Sequence, residues 1–316
     1  MRREKSSLGV TAGIISMVSA LVVLVGCAPQ EKTVEWEKQV IEEKLVLPGV
    51  KSEYDLLFLT DTHVVIQDES DSEQVAANGV ARVAEFVNKE GASAKQQLSD
   101  WMDYAVEEQV DAVLMGGDII DYPSKASIAY LDKQLNKLSM PYLYTMGNHD
   151  WTYPWEYMTE IAEQEYRPLL KPYMGDNTYI GTWETEDLLV ITVDNSSGQV
   201  RSEALETYEK LLQTDKPVIV MLHVPLMTQS VLGRAREVWD SPVVLGAGNY
   251  GGIYPNKEST RFVELTTAKD SPVELVLAGH VHFYDKDYIS GDKDILQIVG
   301  DAGFHGSAVR LHISGE

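Results

Sequence analysis

Residues 143–151 read LYTMGNHDW, an apolar run that breaks at Gly147 and continues with Asn148, His149 and Asp150. Because glycine and asparagine both tolerate positive φ, a simple turn accounts for this stretch. The alternative is that it holds reactive side chains at the end of a strand. The stretch alone favours the turn, so the choice between the two depends on the rest of the chain.

Short apolar runs alternate with amphipathic segments from residue 51 onward. The runs cover residues 54–59, 112–115, 142–146, 188–193, 218–222, 273–278, 296–299 and 309–313. Between them, apolar residues recur at helical spacing within 76–87, 98–105 and 128–138, and these stripes are expected to face the core. This alternation predicts a layered α/β fold.

Five of the apolar runs finish in residues that titrate or can bind a metal. These ends are Asp61-Thr62-His63, Gly116–Asp121, Gly147–Asp150, His223-Val224-Pro225 and Gly279–His282. The carboxyl ends of strands in open α/β sheets form ligand sites, so these side chains are expected to converge. The Asp-x-His and His-x-His spacings place both side chains on one side of an extended backbone. A single histidine at a strand end is usually structural, but five such ends together indicate a site.

The residue types at these ends indicate a transition-metal site. Seven candidate ligands are Asp61, His63, Asp118, Asn148, His223, His280 and His282. Their mixture of imidazole and oxygen suits Zn, Fe or Mn and argues against Ca²⁺ or a thiolate cluster. Since seven ligands exceed the need of one tetrahedral ion, two ions sharing a bridging carboxylate are expected.

The motifs D-x-H, G-D-x-x-D, G-N-H-D, H-x-P and G-H-x-H occur in this order, and with them the chain resembles the calcineurin-like metallophosphoesterases. The resemblance covers roughly residues 54–305. It implies an α/β fold in four layers, an α/β/β/α sandwich in which two mixed sheets are flanked by helices.

The resemblance also implies roles for the site residues. One of two ions, Mn, Fe or Zn, would be held by Asp61, His63, Asp118 and His282. The other would be held by Asp118, Asn148, His223 and His280, with Asp118 as the bridge. A metal-bound hydroxide would attack the phosphate ester, His149 would act as general acid, and Asp121 would orient His149.

Departures from two branches of the family narrow the expected activity. Purple acid phosphatases carry a tyrosine where this chain has Asp121, and protein Ser/Thr phosphatases carry Arg-Gly where it has Tyr122-Pro123. The pattern is most similar to the class III cyclic-nucleotide phosphodiesterase-like group. It predicts hydrolysis of a small phosphodiester. A phosphate-scavenging phosphomonoesterase and an inactive, ligand-binding surface lipoprotein on the same scaffold are the alternatives.

Three regions are candidates for substrate contact. Trp151 and Tyr153 follow the His149 motif and either stack on a base or sugar ring or pack their loop against the body. The glycine-rich segment 245–255 is expected to form a loop at the rim, with Asn249 and Tyr250 near the substrate. His305 could reach the site from a late loop.

The N-terminus resembles an export signal. Residues 1–26 begin with basic residues and continue as an apolar stretch that ends in small residues, and residues 24–27, LVGC, resemble the lipobox of bacterial lipoproteins. Cys27 would then be lipidated, with residues 27–50 as a tether and 51–316 as the catalytic domain. An uncleaved membrane helix is the alternative. The leading interpretation is an extracytoplasmic bacterial lipoprotein anchored to the membrane, of unknown oligomeric state.

The composition limits the partners. The formal net charge of −23 argues against non-specific binding to nucleic acid or to an anionic membrane surface. A small phosphate ester remains compatible with this charge if a metal supplies local positive charge.

Overall fold

Eleven strands form two sheets in the part of the chain that the computed structural model describes, residues 33–152, 158–175 and 177–315. In chain order they are β1 (Gln39–Val46), β2 (Tyr54–Leu59), β3 (Ala112–Met115), β4 (Tyr142–Tyr144), β5 (Ile180–Glu184), β6 (Leu189–Val193), β7 (Val218–Met221), β8 (Val273–Ala278), β9 (Asp285–Ile289), β10 (Ile295–Val299) and β11 (Ser307–Ser314). The first sheet has the order β1-β11-β2-β3-β4, and the second has the order β5-β6-β7-β8-β10-β9.

Both sheets are mixed. Strands β2, β3 and β4 run parallel, and β11 is antiparallel to β2. In the second sheet β6, β7, β8 and β10 run parallel, with antiparallel β5 and β9 at the two edges. The parallel strands therefore end at the same edge of each sheet.

The strands are continuous apolar runs because the sheets are covered on both faces. Successive residues of β2 alternate between two cores: Leu57 and Leu59 pack under helices, whereas Leu56 and Phe58 pack between the sheets. Strand β7 alternates in the same way.

Seven α-helices of the described ranges supply the outer layers. They are α1 (Glu73–Val83), α2 (Ala94–Glu107), α3 (Lys125–Leu135), α4 (Glu160–Leu170), α5 (Ser202–Leu211), α6 (Gln229–Trp239) and α7 (Lys257–Thr266). Helices α2 and α3 pack on the first sheet through Trp101 and Leu131, and α5 and α7 pack on the second through Tyr208 and Phe262. The expected α/β/β/α sandwich is confirmed.

The face predicted for α1 is wrong by one residue. The expected stripe over 76–87 includes Val80, which is 66% exposed. The inner face is instead formed by Val75, Gly79 and Val83. Gly79 approaches Tyr122 so closely that a Cβ would lie 2.2 Å from its hydroxyl, so a residue that no apolar pattern marks lies at the centre of the inner face.

The expected tether over 27–50 is corrected for its second half. The compact unit begins at Val34, and residues 39–46 form β1, paired in parallel with β11. The Trp36 indole also donates to Asp100 at 2.6 Å. The residues of β1, QVIEEKLV, group their apolar side chains in two adjacent pairs and do not alternate with polar ones, so periodicity does not reveal the strand. Cys27 and the signal segment lie outside the described residues.

No helix in the described ranges is both long and apolar enough to cross a bilayer.

Candidate metal-binding active site

The carboxyl ends of five strands converge on one buried group of side chains. Loops after β2, β3, β4, β7 and β8 supply it. There are three sets of side chains, and within each set the candidate ligand atoms lie within 4.8 Å of one another. The sets are Asp61, His63 and His282; Asp118, His223 and His280; and His63, Asp118 and His149. The first two sets contain the carboxylates and imidazoles predicted for the two ions, and Asn148 follows β4 beside them.

Left-handed backbone positions these side chains. Of the seven non-glycine residues with positive φ in the described chain, five are predicted ligands: Asp61 (51°), His63 (47°), Asp118 (52°), His280 (73°) and His282 (55°). The expectation that Asp-x-His and His-x-His converge through extended backbone is therefore wrong. Such conformations persist only where the surroundings hold them, and they cluster at functional sites.

Neighbouring loops hold that backbone by hydrogen bonds. The Asp61 amide donates to the carbonyl of Gly117, and the His63 amide donates to the carbonyl of Asp118, each at 2.9 Å. The Asp61 carboxylate in turn accepts from the His280 amide at 2.9 Å. The loops after β2, β3 and β8 thus form one hydrogen-bonded unit.

Three buried atoms of the predicted ligands make no hydrogen bond to the residues described here: Asp61 Oδ1, Asn148 Oδ1 and His223 Nε2. Two of them have an ion-pairing neighbour, His282 for Asp61 Oδ1 at 3.3 Å and Asp118 for His223 Nε2 at 3.2 Å. A buried polar atom without a hydrogen bond is costly, and bound cations would satisfy all three atoms. The donor chemistry therefore fits transition-metal ions, as the resemblance implies.

Asp118 lies between the two ligand sets. Its Oδ2 is 3.2 Å from His223 Nε2 and 3.7 Å from His63 Nε2. In the other set, Asp61 Oδ1 is 3.3 Å from His282 Nε2. Contact with members of both sets is the position expected of a bridging carboxylate.

The protonation states follow from burial and neighbouring charge. Burial opposes ionisation of Asp61, yet the adjacent His282 lowers its pKa to about 2. Burial lowers the pKa of His280 to about 3, so this imidazole is neutral near pH 7, as a metal ligand must be. Burial disfavours the charged form of His223, but Asp118 outweighs it and raises the pKa to about 10. A bound cation would take the place of that proton.

His149 and Asp121 lie in contact. His149 Nδ1 is 3.0 Å from Asp121 Oδ1, and the His149 amide donates to Asp118 Oδ1 at 2.7 Å. Burial would lower the pKa of His149, but Asp118 and Asp121 together raise it. The side chain is 23% exposed, so one ring edge reaches solvent.

Asp150, to which the sequence assigned no role, organises the loops. It is buried, and its Oδ2 accepts from the amides of Asp118 at 2.8 Å and Gly147 at 2.7 Å. Its Oδ1 accepts from the Ile120 amide at 3.0 Å and from the Tyr144 hydroxyl at 2.6 Å. Burial, reinforced by Asp118, raises its pKa to about 7. Asp150 thus links the loops after β3 and β4.

Arg82 and Asn195 also support the site, and no sequence motif marks either. Arg82 forms a two-bond fork on Asp121, with both distances at 2.7 Å. Asn195 Oδ1 accepts from the amides of His223 at 3.1 Å and Val224 at 2.9 Å. The sequence indicates Asn195 only as a polar residue shortly after the apolar strand β6.

Trp151 does not face a substrate. It is 2% exposed, and its indole donates to Ser196 at 2.8 Å. The packing alternative therefore describes it. Tyr153 lies outside the described residues.

The other two candidate regions for substrate contact, Asn249-Tyr250 and His305, lie at the surface. Asn249 and Tyr250 belong to a short 3₁₀ helix, where Asn249 accepts from the Tyr254 hydroxyl at 3.2 Å and Tyr250 is 51% exposed. His305 pairs with Asp301 at 2.9 Å and packs on Phe304. Phe304 in turn contacts the predicted ligand His282, so His305 is linked to the ligands through Phe304. Their contact with substrate stays a prediction.

Two aromatic residues that the sequence did not indicate contact the ligand His282. The rings of Trp239 and Phe304 each lie 5.2 Å from its ring. The Trp239 indole donates to the Val281 carbonyl at 3.0 Å, which fixes the ring, and 42% of the residue is exposed. Trp239 therefore presents a flat apolar surface beside the metal ligands.

Carboxylate, amide and imidazole groups that gather around a buried Asp118 are side chains that can bind metal ions. The family model described as calcineurin-like phosphoesterase matches residues 54–284. The chain belongs to that family.

Individual similarities are more distant. A probable cyclic nucleotide phosphodiesterase of Synechococcus sp. is 29% identical over 174 residues, 54% of this chain and 58% of that protein. A dimetal phosphatase from Danio rerio has a TM-score of 0.46 at 13% identity, with 80% of this chain and 88% of that one covered. A putative 5'-nucleotidase from Staphylococcus aureus has a TM-score of 0.40 at 14% identity, with 80% and 49% covered. Both solved structures are only loosely similar to this chain.

Proposed function

We propose that this protein hydrolyses a small phosphodiester with two transition-metal ions, Mn, Fe or Zn. The observation that carries the proposal is a pair of adjacent ligand sets, Asp61-His63-His282 and Asp118-His223-His280, in which Asp118 Oδ2 also lies 3.7 Å from His63 Nε2. His149 lies next to them. The Synechococcus relative, named as a probable cyclic nucleotide phosphodiesterase, supports the diester preference. So does the absence from the sequence of the tyrosine and Arg-Gly signatures of other branches.

The proposed ions are held by two groups of residues: Asp61, His63, Asp118 and His282; and Asp118, Asn148, His223 and His280. When bound, such ions stabilise charge on the phosphoryl oxygens and lower the pKa of a water. His223 donates from Nδ1 to the Gly116 carbonyl at 2.9 Å, so its Nε2 is directed at Asp118.

His149 is the proposed proton donor. Its Nδ1 faces the Asp121 carboxylate, so Nε2 is the nitrogen that can transfer a proton to the leaving oxygen. Burial opposes the charged form of His149, but Asp118 and Asp121 outweigh it and raise its pKa, which favours the imidazolium. General acid catalysis of this kind contributes about 10²- to 10⁴-fold.

Metal analysis combined with two chromogenic esters tests the proposal. The protein loaded with Mn, Fe or Zn is assayed on bis-p-nitrophenyl phosphate and on p-nitrophenyl phosphate. We expect two ions per chain and a higher kcat/KM on the diester. Preference for the monoester would indicate a phosphomonoesterase, and metal binding without turnover of either would indicate a binding protein; both results contradict the proposal.

We also propose that the protein is a membrane-anchored lipoprotein lipidated at Cys27. The basic and apolar start of residues 1–26 and the lipobox-like residues 24–27 support this. Metabolic labelling with palmitate and membrane fractionation test it. The Cys27→Ala variant should lose the label and leave the membrane fraction, whereas equal labelling of both forms would contradict the proposal.

A further inference from the structure

One oxygen of the buried Asp121 carboxylate contacts three side chains. Arg82 donates from Nη2 to Oδ1 and from Nε to Oδ2, each at 2.7 Å. The Nδ1 atoms of His63 and His149 lie 3.2 Å and 3.0 Å from the same Oδ1. A single carboxylate thus joins a metal ligand to the proton donor, and the Arg82 fork sets the plane of that carboxylate.

Arg82 is also linked to His63 by the ring of Phe86, which contacts both residues. Its guanidinium lies 5.0 Å from the centre of the Phe86 ring. Phe86 stacks on His63 with centres 4.5 Å apart and planes 4° apart. The imidazole is therefore held edge-on by Asp121 and face-on by Phe86, and Arg82 contacts both of these residues.

We propose that Arg82 is a positioning residue that keeps His63 and His149 protonated at Nδ1. A carboxylate can only accept hydrogen bonds, so an Nδ1 that faces Asp121 must carry a hydrogen. In His63 the unprotonated Nε2 then faces the Asp61 and Asp118 carboxylates, at 3.9 Å and 3.7 Å, where a cation would bind. In His149, the hydrogen that the imidazolium transfers to the leaving oxygen is then the one on Nε2, while Nδ1 keeps its hydrogen. The inference rests on the proposed function and adds a residue that prepares both parts of the site.

The two-bond fork is the feature that the proposal requires. Lysine retains the charge of arginine but not its planar pair of donors, so Arg82→Lys should fail as Arg82→Gln does. Without the fork the Asp121 carboxylate can rotate, and each imidazole can exchange its tautomer.

Nitrogen-resolved NMR of the histidine rings in metal-free protein tests this directly. At a pH where both imidazoles are neutral, we expect the hydrogen on Nδ1 at His63 and His149 in the wild type, and mixed tautomers in Arg82→Gln and Arg82→Lys. Arg310→Gln is the matched control, because Arg310 forms a similar fork on Asp55, at 2.9 Å from Nε to Oδ1 and 2.6 Å from Nη2 to Oδ2. Its His63 and His149 signals should match the wild type, whereas His312, whose Nδ1 lies 3.8 Å from Asp55, can shift.

Kinetics and calorimetry supply the second measurement. At saturating manganese, both Arg82 variants should lose about 10- to 100-fold in kcat on bis-p-nitrophenyl phosphate, or a similar factor in metal affinity, with little change in KM. Wild-type tautomers in either Arg82 variant, or full kcat in Arg82→Lys, would overturn the proposal. If the Arg82→Gln protein does not fold, the Arg82→Lys protein provides the test. The NMR result needs no turnover, so it stands apart from a failure of the proposed function.

Discussion

Asp118 is the residue on which the site depends most. Its amide is held by Asp150, one carboxylate oxygen accepts from the His149 amide, and the other faces His223 and His63. His149 by contrast offers its side chain to the site without belonging to either predicted set of metal ligands. Removal of the two side chains should therefore have different consequences.

We expect Asp118→Ala to lose both bound metal and turnover. His149→Ala should keep its metal and lose about 10²- to 10⁴-fold in kcat, because only the proton donor is removed. Metal content by mass spectrometry and kcat on bis-p-nitrophenyl phosphate check both variants. An active Asp118→Ala protein would exclude the shared-carboxylate arrangement.

We expect Trp239→Leu to weaken binding of esters that carry a base. Stacking on an aromatic side chain is worth about 1–3 kcal/mol per base, which corresponds to a KM increase of roughly 5-fold or more. The measurement compares thymidine 5'-p-nitrophenyl phosphate with methyl p-nitrophenyl phosphate, which share a leaving group. Trp183→Leu is the control, since Trp183 packs against Tyr54 at the start of β2, far from the ligands. An unchanged KM ratio in Trp239→Leu would exclude the stacking role.

At the scale of elements, the site is built from loops at the ends of strands that are mostly or entirely buried. Strands β3 and β7 have four buried residues each, so their positions are held by two cores at once. The loops that follow them can then hold left-handed residues that would not be stable in a flexible segment. Strand β1 differs, because it lies at the edge of the first sheet and pairs only with β11.

A protein that starts at Val34 should fold, whereas one that starts at Lys51 should be less stable. The shorter form lacks β1 and leaves the long strand β11 as an unprotected edge. We expect its Tm to fall by roughly 5 °C or more, since each kcal/mol shifts Tm by about 2–4 °C in a domain of this size. Circular dichroism melting curves of both forms check this. Equal Tm values would restore the whole of 27–50 as a tether.

At the scale of the whole molecule, two sheets and their helices enclose a cluster of ionised carboxylates and imidazoles. The chain carries a formal charge of −23 as well, so cations at this cluster offset repulsion that the fold otherwise bears. Metal binding should accordingly be linked to stability.

We expect Mn²⁺ or Zn²⁺ to raise the Tm of the metal-free protein. At a metal concentration 100 times the Kd, the gain is about 2.7 kcal/mol for each site that forms only in the folded state. Differential scanning calorimetry with and without a chelator measures it, and Asp118→Ala should show no gain. A Tm that does not change when Mn, Fe or Zn is added would contradict a metal site here.

The amino-acid sequence by itself determined the layered fold, the strands that lead into the site and the carboxylate and imidazole side chains that the structure brings together, whose role as metal ligands stays a prediction. It could do so because buried parallel strands are continuous apolar runs and the residues directly after them must meet at one edge. Only the tertiary structure decided the left-handed backbone of the ligands, the inner face of α1, the strand β1, the burial of Trp151 and the roles of Arg82 and Asp150. Each of these depends on what a residue packs against across tens of residues of sequence, as Arg82 does with Asp121, and hydrophobic periodicity reports burial but not the identity of the partner.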